Sequence, residues 1–188
     1  MPHVPQPGVS IHKKSKTFKG FTVFAPTRSK FAYLINMNGE EVHRWEINEG
    51  AINHALLLEN GNLFIGERGP EESPIPMARG GRIREYDWDG NVVWDHVDNT
   101  HHHDARRLAN GNTAYIAWHA IPKKIQKRIK GGLPGTAAPD GRIYGDVIRE
   151  VNPAGDVVWE WRCWEHMKVE NYPITAQYPR EEFGHANT

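Results

Sequence analysis

Three segments of this chain follow one pattern: a short strand-like run, an Asn- or Asp-rich turn closed by glycine, and a second run ending in tryptophan. They are residues 33–45, 82–94 and 147–159, and their turn glycines Gly39, Gly90 and Gly155 stand 51 and then 65 residues apart. A second kind of hairpin lies between them. Leu58-Glu59-Asn60-Gly61-Asn62 returns 50 residues later as Leu108-Ala109-Asn110-Gly111-Asn112, and each is followed by a β-prone run. Asn-Gly is a strong hairpin signal because both residues tolerate positive φ, so both turn positions are expected there.

The repeating unit is therefore four short antiparallel strands, two joined by an Asn-Gly turn and two by an Asp-Gly-like turn. Four strands recurring at about 50 residues are the signature of a β-propeller blade. Tandem β-sandwiches would need about seven strands per unit, and a helical solenoid would lack these turns. The expected fold is all-β, a propeller of four-stranded antiparallel blades. Residues 1–19 read as an N-terminal arm and 20–188 as a partial propeller, with repeats around 33–66, 82–118 and 144–162. An insertion occupies 119–143, and 183–188 begins a further blade. Within the insertion, Pro122 to Lys130 reads as one short helix with Ile125 and Ile129 on one face and its five positive charges in solvent. Residues 67–80, rich in Pro, Glu and Gly, read as loop. Propellers close with 4–8 blades, so a complementary C-terminal polypeptide or self-association is the expected means of completing this one.

Composition narrows the partners. Seven Trp, six Tyr and six Phe indicate a packed core, and 23 basic against 23 acidic residues leave no net charge to attract nucleic acid or a membrane surface. No apolar run is long enough to span a bilayer. Met1 to Ser10 lacks the apolar centre of a signal peptide, which reads as cytoplasmic, or as periplasmic if this is the mature form of an exported protein behind a new Met. Cys163 is the single cysteine, so an internal disulfide and a cysteine-built zinc site are both excluded; beside Trp161 and Trp164 it reads as buried filler. Trp45, Trp94, Trp159 and Trp161 read as packing between blades, and His43, His96, His119 and His166 as surface or loop residues.

The polar run His101-His102-His103-Asp104 lies at the far end of a strand that hairpins back through Asn110-Gly111. Counted back from Leu108 and Leu58, His103 aligns with Asn53 and Asp104 with His54. With a leucine at the equivalent place after Thr188, the same count would align His185 with His101 and Asn187 with His103. Positions two apart on a strand share a side, which groups His101 with His103 and sets His102 opposite.

Taken together, several pieces resemble the arylsulfotransferase (aryl-sulfate sulfotransferase) family of six-bladed propellers. They are Tyr33 to Gly39, Glu85 to Trp94, His102-His103-Asp104 with Leu108 to Asn112, Gly145 to Glu150 with Val158 to Trp161, and His185-Ala186-Asn187-Thr188. Members transfer a sulfuryl group from a phenolic sulfate ester to another phenol without a nucleotide donor, and the group rests transiently on a histidine. The resemblance implies that His102 or His103 belongs to the central pocket and that His185 with Asn187 lines it, so His102, His103, His185 and Asn187 are the expected catalytic residues; His54 and Asp104, aligned with each other, are expected to contact a small aromatic substrate, with no cofactor. It also implies that an arginine and the sulfuryl-carrying histidine lie downstream of the His-x-Asn motif, beyond Thr188. The residue types suit that chemistry. Charge develops on a leaving phenolate and on the sulfuryl oxygens, and histidine can serve as donor, proton source or nucleophile. Two other readings stay open. His101, His103, Asp104 and His185 together would suit a divalent metal such as zinc or manganese, giving a hydrolase or lyase. The channel could also hold a ligand without turning it over.

Overall fold

Five tight turns in the structure, a computed structural model describing residues 9, 11–75, 80–129, 138 and 140–166, are built by one device. At Leu58 and Leu108 the residue accepts from the glycine three positions on (2.9 and 3.0 Å) and donates to the carbonyl four positions on (2.9 and 2.8 Å). Asn36, Asp87 and Asn152 do the same. In each, only the glycine has positive φ, between 82° and 92°. This is a type I turn closed by a left-handed glycine, so the preceding Asn is not at positive φ as the dipeptide suggested. The reason is visible in its side chain. Asn110 Oδ1 accepts from the Asn112 N–H at 3.0 Å, an arrangement that holds the backbone right-handed before the glycine.

These turns fold the chain into three antiparallel sheets. The first contains β1 (Phe21–Phe24), β2 (Phe31–Asn36) and β3 (Glu41–Glu46). The second contains β4 (Ala51–Leu57), β5 (Leu63–Arg68), β6 (Gly81–Tyr86) and β7 (Val92–Val97). The third contains β8 (His101–Arg107), β9 (Thr113–Ala120), β10 (Tyr144–Val151) and β11 (Val157–Arg162). Within each sheet the strands lie in chain order, and the first strand of the middle sheet, β4, contacts the first strands of the other two, β1 and β8. The fold is all-β, with sheets arranged as propeller blades around those inner strands. Each blade opens on its inner strand, so the segments 33–66 and 82–118 each straddle two sheets.

Two apolar clusters glue the blades. Ala32, Leu34, Trp45 and Ile47 of the first blade face Ala51, Leu63, Ile65 and Tyr86. Phe64 and Ile83 of the second face Ala105, Tyr115, Ala117, Val147 and Val151 of the third. Because the middle blade is covered on both faces, β5 is buried from Leu63 to Glu67 without alternation. Its strand extends into the stretch read as loop, and Glu67 is fully buried. The Glu67 carboxylate accepts from Tyr86 Oη at 2.5 Å, Arg84 Nη1 at 2.9 Å and the Glu49 N–H at 3.0 Å, so the buried charge is paired.

The tryptophans reach from one blade to the next. Trp45 is 1% exposed and donates its indole N–H to the Asp87 carbonyl at 2.8 Å; Trp94 donates to the Pro153 carbonyl at 2.9 Å. Trp159 is instead 50% exposed. His43, His96 and His119 are partly buried strand residues rather than loop residues, and His43 stacks on Trp88 with ring centroids 4.0 Å apart. The insertion helix is shorter than the sequence suggests, α1 (Lys123–Gln126), and Ile125 and Ile129 pack on the second cluster. Cys163 opens a last short helix, α2 (Cys163–His166), and packs against that cluster too. Among the described residues, no helix is long and apolar enough to cross a membrane.

Candidate functional site

The inner strands β4 and β8 share an irregularity at the aligned positions. In β8, His102 pairs with Ile116 and Ala105 with Tyr115, leaving His103 and Asp104 without opposite partners. In β4 the register shifts between Ala51 and Ala55, so His54 falls in the matching bulge. At the crest His103 adopts φ = 57°, an uncommon conformation for a residue with a side chain. The bulge breaks the two-residue period. His101 and His103 therefore do not share a side. His101 is 0% exposed in the interface between blades, while His103 is exposed.

What the bulge presents is a cleft of about 490 Å³ on the inner strands. Val23, Phe24 and Ala25 form one wall, His54 to Leu56 the second, and His103, Asp104 and Arg106 the third. Three of the residues singled out by sequence, His54, His103 and Asp104, thus meet at one place. Arg106 was missed; its signal was a charge in an inner strand where a blade normally carries apolar or neutral residues. Its Nη1 donates to Asp104 Oδ1 at 2.8 Å and leaves the rest of a half-exposed guanidinium beside the cleft.

His102 points elsewhere. Its ring is 3% exposed and stacked on Trp118, centroids 3.8 Å apart at 20°. It touches the cleft only through His103, with Nδ1 to Nδ1 at 2.7 Å. His54 Nδ1 lies 3.4 Å from the His103 carbonyl, which can only accept, so Nδ1 carries the proton and the buried Nε2 is bare. Burial lowers the His54 pKa, with the Asp104 charge opposing, so the ring is neutral near pH 7. His101, pushed down to about 3 chiefly by burial, is neutral as well. It packs edge-on to Tyr115 and His54.

Of the groups weighed as metal ligands, the three among the described residues are not brought together: His101 faces the blade interface, away from His103 and Asp104. Among the described residues no group of three His, Cys, Asp or Glu side chains is placed to hold a metal ion. His185 and Asn187, and the further blade start at 183–188, lie outside the described residues.

The profile of the Arylsulfotransferase (ASST) family matches residues 9–188. The chain belongs to the arylsulfotransferase family. No curated protein matches the sequence. Among solved structures, this member of the arylsulfotransferase family is similar to a protein of unknown function from Bacteroides caccae, at 17% identity and a TM-score of 0.42. The similarity covers 76% of this chain and 42% of that one, so the chain spans less than half the length of that protein.

Within the arylsulfotransferase frame, the Leu-x-Asn-Gly-Asn part of the motif is structural. Asn110 and Asn112 donate to Glu150 at 3.2 and 2.6 Å, and Asn60 and Asn62 donate to Glu85 at 3.2 and 2.7 Å. The His-His-Asp part shapes the cleft.

Proposed function

We propose that this cleft is part of the site at which a sulfuryl group passes from an aryl sulfate to a phenol. The observation that supports it most directly is the meeting of His103 and Arg106 with the apolar wall of Phe24 and Leu56 on one inner-strand cleft. An aromatic ring would lie against Phe24 and Leu56. The Arg106 guanidinium would hold the sulfuryl oxygens, where a planar fork of N–H donors matches oxyanion geometry. His103 would manage the proton on the phenolic oxygen. His54 then acts by gripping the His103 carbonyl rather than by donating to substrate.

In the first half-reaction the aryl O–S bond breaks, an N–S bond forms to a histidine, and the departing phenolate takes a proton. In the second the N–S bond breaks, the acceptor oxygen bonds to sulfur, and its proton leaves to a base. The sulfuryl-bearing histidine is assigned by family likeness to a segment downstream of Thr188, and His185 and Asn187 to the same pocket. Residues 20–188 then form one part of a propeller that further blades complete, on another polypeptide or on a second copy. No cofactor enters this scheme.

The test is 4-nitrophenyl sulfate with a phenol acceptor and no nucleotide sulfate. Acceptor-dependent release of 4-nitrophenol that is lost in His103→Ala supports the reading. In the propeller completed with its further blades, saturable binding of the ester with no turnover would replace the enzyme by a binding channel.

A further inference from the structure

His102 is the one member of the motif that the cleft does not use directly, yet it is held more firmly than any other. Its ring lies flat on Trp118, and its two nitrogens face two different groups. Nδ1 meets His103 Nδ1 at 2.7 Å. Nε2 has no hydrogen-bond partner among the described residues; the nearest charge is Asp146 Oδ1 of β10, at 3.5 Å. That separation is an electrostatic contact rather than a formed hydrogen bond.

Two imidazole nitrogens at 2.7 Å must share one proton, because two lone pairs or two N–H groups would repel. Only two arrangements exist. If His102 Nδ1 donates to His103, then His102 Nε2 is bare and its lone pair faces a carboxylate. If His103 Nδ1 donates to His102, then His102 Nε2 carries a proton directed at that carboxylate. The second arrangement is favoured by charge and leaves His103 Nε2 as a free base. His101, also coupled to His102, is kept neutral by burial.

We propose that Asp146 and His102 are positioning residues that set the tautomer of His103 and receive the proton it collects. This rests on the reading of the cleft as a sulfuryl-transfer site. An acceptor phenol gives its proton to His103 Nε2. The proton on His103 Nδ1 crosses to His102 Nδ1, leaving His103 neutral with Nε2–H and His102 as an imidazolium opposite the Asp146 carboxylate. Reversing the two transfers returns the proton through the same pair, and His103 Nε2–H is then the acid for a departing phenolate. The logic is that of an acid–histidine pair behind a reactive group, with a second imidazole as the reactive group.

Asp146 is mostly exposed, so its replacement leaves the core intact. The experiment uses the full chain labelled with 15N in histidine, with two-bond 15N–1H spectra assigned by His102→Gln and His103→Gln. Wild type should show His102 protonated at Nε2 and His103 protonated at Nδ1. Asp146→Ala should move the His102 proton to Nδ1 and that of His103 to Nε2, while Asp146→Asn, whose amide oxygen still accepts, should keep the wild-type pattern. An unchanged pattern in Asp146→Ala, or a wild-type His102 protonated at Nδ1, overturns the assignment. In the aryl sulfate assay, Asp146→Ala should lower kcat about a hundredfold with KM nearly unchanged. The stated tautomers with no turnover by the propeller completed with its downstream blades would overturn the sulfuryl-transfer reading and leave the relay standing.

Discussion

Asn112 and Glu150, 38 residues apart in sequence, are joined by a hydrogen bond of 2.6 Å from the Asn amide to the carboxylate. The equivalent bond in the preceding blade, Asn62 to Glu85, is 2.7 Å, but Glu85 also takes a bond of 2.8 Å from Arg107 of the next blade. Arg107 in turn lies over the Trp94 ring at 4.3 Å. One carboxylate thus ties only its own blade, and the other ties two.

Replacing each glutamate separates those roles. Glu150→Ala should cost about 1 kcal/mol, the net worth of ordinary hydrogen bonds. Glu85→Ala should cost about 3 kcal/mol, because it also leaves the part-buried Arg107 without its carboxylate. Urea unfolding of both variants measures the difference, and equal midpoints would contradict the role of Glu85 as an inter-blade tie.

Trp45 supports a second prediction. Trp45→Phe keeps most of the buried area but loses the bond to the Asp87 carbonyl, for about 1 kcal/mol. Trp45→Ala opens a cavity between the first two blades and should cost about 3–5 kcal/mol. Trp159→Ala, on an exposed ring, should shift the unfolding midpoint far less.

The acid side of the stability profile follows from His101. Its folded pKa of about 3 lies below the ordinary value of 6.5, so the unfolded chain binds the proton more readily. Stability from this group is full above pH 6.5 and falls as pH drops toward 3, by about 1.4 kcal/mol per unit. His54 and His96, also lowered chiefly by burial, act in the same direction. His101→Gln should give a shallower loss between pH 6.5 and 5 when midpoints are compared across pH.

Arg106 is the predicted handle for the sulfuryl oxygens. Arg106→Gln should raise KM for 4-nitrophenyl sulfate about tenfold, the loss of one charge-assisted contact at a half-exposed site, with unfolding unchanged. Arg106→Lys should recover only part of it, since an ammonium lacks the planar fork. A KM unaffected by either change would remove Arg106 from the substrate site.

Much of the architecture was written locally. The Asn-Gly and Asp-Gly turns, the tryptophan-ended strands and the four-strand unit could be read because turn chemistry and alternation act over a few residues. The His-His-Asp run could be read as a candidate for the same reason: it is a polar cluster of consecutive residues. Its geometry could not. The parity count that grouped His101 with His103 assumed an unbroken strand, and a bulge with one left-handed residue reversed it.

Sequence alone therefore determined the kind of blade and the strand that lines the cleft, since both depend on neighbours along the chain. Tertiary structure decided which histidine reaches the cleft, that Arg106 joins it, and that Glu67 lies buried against Arg84 and Tyr86. Those outcomes depend on how blades stack and where the ladder slips, and the partners involved stand 17 to 50 residues apart or on separate strands. No periodicity in the chain encodes a meeting of that range.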